Sequence, residues 1–201
     1  EGTIVLDKFN LNALIQDYPI ATINANLSVN GQGFDLLSFD TDIIGEIKAV
    51  KIGGYNYKNI SLNGRLQPNY FKGEAFVVDE NLELDFAGEV DFSKPKPVMD
   101  FTAAIVQANL VQLNWYDKEP VANLATLIEM NLVGDKWANI EGALGVYFTT
   151  LETENTYYHF NDFKFLSSKS NTGDTLTFNS DFASARLDGE IDIPNLYQSF
   201  L

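Results

Sequence analysis

No cysteine occurs among the 201 residues, and histidine occurs once, at His159. Disulfides, thiolate metal sites and thiol nucleophiles are therefore excluded, and a single imidazole supplies no histidine cluster for zinc or copper. Basic residues are also scarce: 13 Lys and Arg against 28 Asp and Glu leave a net charge of −15. Such a surface repels phosphate backbones and anionic headgroups, which excludes nucleic acid as a partner. Long apolar runs are missing too. The longest are four residues, AFVV at 75–78 and AAIV at 103–106, far below the roughly 18 that a spanning helix needs. The chain opens on Glu1 with neither Met nor a basic-then-apolar leader, so it reads as an excised mature segment without a legible targeting signal.

What is present is enough apolar mass to fold, 45% of the residues with 15 Phe and 9 Tyr, arranged with the two-residue period of half-buried strands. In LELDFAGEVDF (82–92), Leu82, Leu84, Phe86, Val90 and Phe92 share one face, and Glu83, Asp85, Glu89 and Asp91 the other. The same alternation recurs at Ile23, Ala25, Leu27 and Val29; at Ile60, Leu62 and Leu66; at Leu144, Val146 and Phe148; and at Leu187, Ile191 and Ile193. Strands of a doubly covered parallel sheet read as unbroken apolar runs, so this alternation points to an all-β fold with one wet face. Two stretches carry helix spacing instead, 10–19 and 108–120, each closed by a proline.

These two stretches also match each other. Asn10, Leu11 and Leu14 correspond to Asn109, Leu110 and Leu113, 99 residues later; YNYKNISL (55–62) corresponds to YHFNDFKF (158–165), and GEVDF (88–92) to GEIDI (189–193). The expectation is an internal duplication, residues 1–98 and 99–201, each copy about 100 residues with one short helix followed by strands. Stacked units of this kind form one continuous elongated body; two tandem β-sandwiches are the alternative. SKPKP (93–97) is too short and stiff to act as a flexible tether.

Chemistry-bearing patterns are few. There is no G-x-S-x-G, H-E-x-x-H, Walker or G-x-G-x-x-G sequence opening a helix, so no enzyme is expected. His159 sits within an aromatic strand and reads as a solvated or strand-end imidazole. Asp40 with Asp42, and Asp79, Glu80, Glu83 and Asp85, have the composition of a calcium site or a glycosidase pair. Their alternation with apolar residues instead marks them as a solvated face that discourages edge-to-edge association. The sequons at Asn26 and Asn59 matter only in a glycosylating host.

The apolar face is then the candidate functional surface. Leu82, Leu84, Phe86, Val90, Phe92, Leu144, Val146, Phe148, Leu187, Ile191 and Ile193 form its first tier, with Ile60, Leu62 and Leu66 as the next. Folded lengthwise, such a face forms either a closed core or a trough for acyl chains, whose transfer from water is favourable by about 0.8 kcal/mol per methylene. Periodicity fixes which residues face inward and leaves both outcomes open. The competing use of the chain is a tandem β-sandwich adhesion or glycan-binding module that presents Tyr55, Tyr57, Trp115 and Trp137 as stacking platforms.

LELDFAGEVDFSKPKPVMDFTAAIVQANLVQLNW (82–115) and LTFNSDFASARLDGEIDIPNLYQSF (176–200) resemble the C-terminal repeats of TamB and the wider AsmA-like family of envelope lipid-transport proteins, in its Bacteroidetes-type form. The shared arrangement is a Gly-Glu-x-Asp strand, a short break, an amphipathic strand and a helical segment. The resemblance covers essentially the whole chain and implies a β-taco, a long sheet curled into a groove with an apolar interior. It further implies a periplasmic section of an inner-membrane-anchored protein that reaches an Omp85-class outer-membrane barrel. Such a protein carries phospholipid between the membranes and supports outer-membrane protein assembly, without a cofactor. A dozen strands at about 4.8 Å give a groove of about 60 Å, one section of a longer conduit.

Overall fold

The computed structural model describes residues 1–10, 20–33, 38–136, 139–170 and 173–189. They form one antiparallel sheet of twelve strands in serial order, β1 to β12, not closed into a barrel. The first half comprises β1 (Gly2–Asn10), β2 (Ile20–Gln32), β3 (Asp40–Ile52), β4 (Tyr55–Gln67), β5 (Tyr70–Val78) and β6 (Leu82–Asp91). The second comprises β7 (Val98–Asn109), β8 (Ala122–Val133), β9 (Glu141–Thr153), β10 (Tyr157–Ser170), β11 (Gly173–Ser180) and β12 (Ser184–Gly189). The ladder runs unbroken from β6 into β7 and on into β8, so no boundary interrupts the sheet after SKPKP. A sandwich needs two facing sheets, and a single serial sheet excludes the tandem-sandwich alternative.

Tight turns enforce the serial order. Gly53 and Gly54 join β3 to β4 with φ of 58° and 88°, the positive pair that a two-residue type I′ hairpin requires. Between β4 and β5, Pro68 is followed by Asn69 at φ 60°, as in a type II turn.

The helix expected over 108–120 is absent. Residues 108–109 end β7, and only one turn follows: the Leu113 N–H donates to the Asn109 carbonyl at 3.0 Å, and the Gln112 N–H to Asn109 Oδ1 at 3.1 Å. Asn114 then takes φ 61° and ends it. The leucine spacing instead positions Leu110 and Leu113 to fold back against the sheet. The helix expected over 10–19 lies outside the described residues apart from Asn10, which ends β1.

The described residues form one layer without a helix, and the main apolar cluster gathers where the sheet curls over its own face. It does so around a cluster drawn from β2 to β7 and the 110–113 turn, including Ile23, Leu27, Ile43, Val50, Val77 and Leu82. Two devices produce the curl. The first is a set of inward-facing glycines on adjacent strands: Gly64 pairs with Gly73, which pairs with Gly88. A Cβ on Gly73 would lie 2.5 Å from Gly64 Cα, and one on Gly88 would lie 2.4 Å from Phe101 Cα. The backbones approach where no side chain intervenes, and Phe86 covers this stripe with Phe71 and Phe101, ring centroids 6.0 and 5.2 Å away.

The second device is a band of bulges, which bend strands and add twist. Asp7 and Lys8 in β1 stand against Asn24 alone, and Val106 and Gln107 in β7 stand against Ala125 alone. Lys48 is the extra residue of β3 against β2, and Phe148 with Thr149 in β9 stands against Thr126 alone in β8. Lys48 faces Asn59 and Phe148 faces Asn161, and these two pairs drop out of the β3–β4 and β9–β10 ladders without a register shift. Corresponding irregularities are separated by 99, 100 and 102 residues, within the range of offsets seen in the sequence.

Two carboxylates assigned to the wet face are in fact buried. Asp79, 5% exposed, accepts hydrogen bonds from the Tyr55 hydroxyl, the Lys58 N–H at 3.0 Å and the Asn81 N–H at 2.9 Å. It locks the β5–β6 turn to the start of β4. Asp91, at the end of β6, accepts from the Ser93 N–H at 2.9 Å and pairs with Lys94 at 2.8 Å. Lys94 first, then Ser93, holds the Asp91 carboxyl below the usual carboxylate range.

Two measurements check these points. Gly88→Ala places a methyl group against the Phe101 backbone and lowers stability by about 1–3 kcal/mol in chemical denaturation; an unchanged midpoint would remove the glycine stripe as the cause of the curl. A carboxyl with a depressed native pKa stabilises the fold above its unfolded value of about 3.9, and that contribution disappears as pH falls through the native value. Asp91→Asn is therefore less stable than the parent at pH 7, and the difference narrows below about pH 4.

Candidate functional site

The registers join the inward residues into continuous rungs across the strands. One passes from Leu62 through Ala75, Phe86, Ala103 and Ile128 to Val146. Another passes from Gly88 through Phe101, Met130, Leu144 and Phe165 to Phe178. Leu82, Leu84, Phe86, Val90, Ile60, Leu62, Leu66, Leu144 and Val146 all lie on this face. Leu187 shares it through Leu176 but sits on edge strand β12, 38% exposed. Ile191 and Ile193 lie outside the described residues.

Two assignments to this face are corrected. Phe92 lies one residue past β6, where its N–H donates to the Asn69 carbonyl at 2.8 Å, and it is 56% exposed. Phe148 is the odd residue of the β9 bulge, with φ 49° and 67% exposure. An extra residue reverses the inward phase, so the face continues from Val146 to the buried Thr149, whose hydroxyl meets that of Thr126 at 2.8 Å. Several members went unassigned because these phase changes interrupt the strand period. Met99, Phe101 and Ala103 alternate visibly within VMDFTAAIV, and Phe163 and Phe165 within DFKF, but the irregularities at Val106 and Asn161 divide both runs.

The two halves of the face differ. In β2 to β7 it closes on itself: Leu113, 1% exposed, packs into the buried cluster with Tyr57 and Leu82. The Trp115 indole N–H donates to the Tyr57 hydroxyl at 2.9 Å. From β8 to β11 the closed cluster has no buried member. There a strip containing Ile128, Met130, Leu144, Val146, Phe165 and Phe178 is half-buried, with Leu132, Ser167 and Leu176 buried at one end and Thr126 and Thr149 at the other.

The opposite face is polar and internally paired. Arg65 donates from Nε and Nη2 to the two Asp40 oxygens at 2.8 and 2.6 Å and holds that carboxyl down to about 2. Lys72 meets Glu89 at 3.1 Å. A depression of about 750 Å³ lies on this side over β5 to β11, beside Glu89, Asp100, Glu129 and Asn131. The Tyr147 ring there lies across Gly145 with Lys164 Nζ 5.6 Å from its centre, so no bare aromatic platform is offered. Arg65 with Asp40 and Lys72 with Glu89 pair on that face, whereas among the described residues no layer covers the β8–β11 apolar strip. The candidate site is therefore the strip.

The chemistry considered for other residues does not assemble. Tyr55 and Tyr57 pack edge to face at 4.8 Å, with Tyr57 buried, so neither is a free stacking surface; Trp115 is 51% exposed, and Trp137 lies outside the described residues. His159 is exposed opposite Thr150 in the β9–β10 ladder. No group of three His, Asp or Glu side chains is arranged to hold a metal ion among the described residues.

The contrast between the halves predicts unequal costs. Leu113→Ala destabilises by about 2–5 kcal/mol, as truncation in a closed core does, whereas Leu144→Ala on the half-buried strip costs about 1 kcal/mol or less. Equal losses in urea titrations would show a core sealed along its whole length.

Compared with protein-family models, curated proteins and solved structures, the chain matches none.

Proposed function

We propose that this chain is a groove-forming section of a TamB/AsmA-like envelope conduit that carries phospholipid by its acyl tails. The observation that supports the reading is the half-buried strip of β8 to β11, continuous with the closed core of β2 to β7 and without a covering layer among the described residues. Each methylene moved from water onto such a strip contributes about 0.8 kcal/mol. The headgroup stays in water at the opening, since an acidic exterior offers an anionic phosphate no binding site. Transfer is passive: a smooth run of Leu, Val, Ile, Met and Phe gives tails many equivalent positions, and direction comes from the membranes at either end. No covalent step or cofactor enters.

On this reading the chain works in the periplasm as part of an inner-membrane-anchored protein, reaches an Omp85-class barrel and supports outer-membrane protein assembly. Anchor and barrel contacts belong to other segments of that protein; among the described residues no helix is long and apolar enough to cross a membrane.

Adjacent residues on opposite faces provide the test. Phe165 lies on the apolar strip, and Leu166, its neighbour in β10, lies on the opposite face. Phe165→Arg abolishes binding of a fluorescent phospholipid and removes phospholipid from native mass spectra, while Leu166→Arg leaves both intact and both variants keep the parent far-UV dichroism. Equal lipid occupancy in the two variants, or no lipid on the parent chain, refutes the assignment.

A further inference from the structure

We propose that the loop joining β7 to β8 binds a primary ammonium group, which on the lipid-carrying reading belongs to an ethanolamine phospholipid headgroup. The loop is pinned to the sheet: the Leu110 N–H donates to the Ala122 carbonyl at 2.8 Å, and the Trp115 and Tyr116 N–H groups donate to the Leu110 carbonyl at 2.8 and 3.1 Å. Leu113 anchors its middle in the closed core. Around that anchor, Val111 and residues 114–120 line a depression of about 860 Å³. β8 begins where the loop ends, at Ala122. Ile128 of the apolar strip lies six residues further on, about 20 Å along an extended strand, so a headgroup held here leaves its tails within reach of the strip.

The lining favours a cation that carries N–H donors. Trp115 is held by its edge, since its indole N–H donates to the Tyr57 hydroxyl at 2.9 Å, yet half of its surface is exposed. A ring fixed in this way attracts a cation to its face. Glu119 supplies the acceptor. Its Oε2 is buried with no hydrogen-bond partner among the described residues, and its Oε1 meets the Tyr116 hydroxyl only at 3.5 Å. A buried carboxylate oxygen without a donor is costly, and the last torsion of a glutamate is broad, so a small rotation offers either oxygen to a ligand N–H. The local field has the matching sign, because Asp117 and Glu119 outnumber Lys118 along the lining. Desolvation first, and then the charge of Glu119, raises the Tyr116 phenol above its usual value. Phosphate is repelled by this field and a neutral sugar gains nothing from it, whereas an ammonium uses ring, carboxylate and field together.

The source of the ammonium rests on the lipid reading and the pocket does not, so the two are tested separately on the whole chain. In proton–nitrogen correlation spectra, O-phosphoethanolamine shifts the Trp115 indole N–H resonance. O-phosphocholine, equal in charge but without an ammonium N–H, binds about three- to tenfold more weakly, the worth of one net hydrogen bond. Glu119→Gln, which keeps the side-chain shape, removes that preference. In native mass spectra with equal amounts of phosphatidylethanolamine and phosphatidylcholine of the same tails, the parent retains the ethanolamine lipid in about the same three- to tenfold excess. Glu119→Gln brings the two lipids to parity without lowering their total. Lipid retained with no preference in either measurement overturns the ammonium site and leaves the lipid reading standing. Preference at the indole with no lipid retained supports the ammonium site and overturns its lipid source. An indole shift produced by glucose and by neither amine shows a sugar site and overturns the proposal.

Discussion

The described residues form a single sheet that has to cover its own apolar face, and the rest of this structure follows from how far it succeeds. Burial of apolar area is the main source of stability in a chain without disulfides, whose described residues contain no helix to supplement it. Curling brings the rungs of β2 to β7 into contact, and the Leu110–Leu113 turn closes the remaining gap. Beyond β7 no such turn lies over the face among the described residues, and the strip on β8 to β11 is half-buried. Structural core and candidate ligand surface are thus two states of one surface.

Backbone irregularity produces the shape more than side-chain identity does. Gly64, Gly73 and Gly88 let neighbouring strands approach on the concave side, and the bulges at Asp7–Lys8, Lys48, Val106–Gln107 and Phe148 bend the sheet across its width. An extra residue has a second effect: it exchanges the inward and outward faces for the remainder of its strand. That is how a side chain as large as Phe148 comes to be exposed beside a buried threonine.

The same irregularities mark where the sequence was legible. Alternation located the strands, the one-sided face and most of its members, from Ile23 and Leu27 to Leu144 and Val146. It failed at Phe148, where the bulge changes the phase, and at Phe92, where the strand has ended. Leucine spacing over 108–120 described a real packing face, but a single turn capped by Asn109 is enough to deliver Leu110 and Leu113 to the core, and Asn114 stops it there. Composition alone did not distinguish Asp79 and Asp91 from their solvated neighbours. Asp79 is set apart by hydrogen bonds that form only when Tyr55 and Lys58 of β4 reach it, and Asp91 by the local turn that brings the Ser93 N–H and Lys94 onto its carboxylate.

The central claim is that acyl chains lie on the β8–β11 half of the face and not within the β2–β7 half. Nuclear relaxation by a doxyl-labelled fatty acid maps that position directly. The account predicts selective broadening of Met130, Ile128, Leu144 and Phe165 resonances, with Ile23, Leu27 and Leu113 unaffected. Broadening centred on Ile23 and Leu27, or none above that of the exposed polar face, contradicts it.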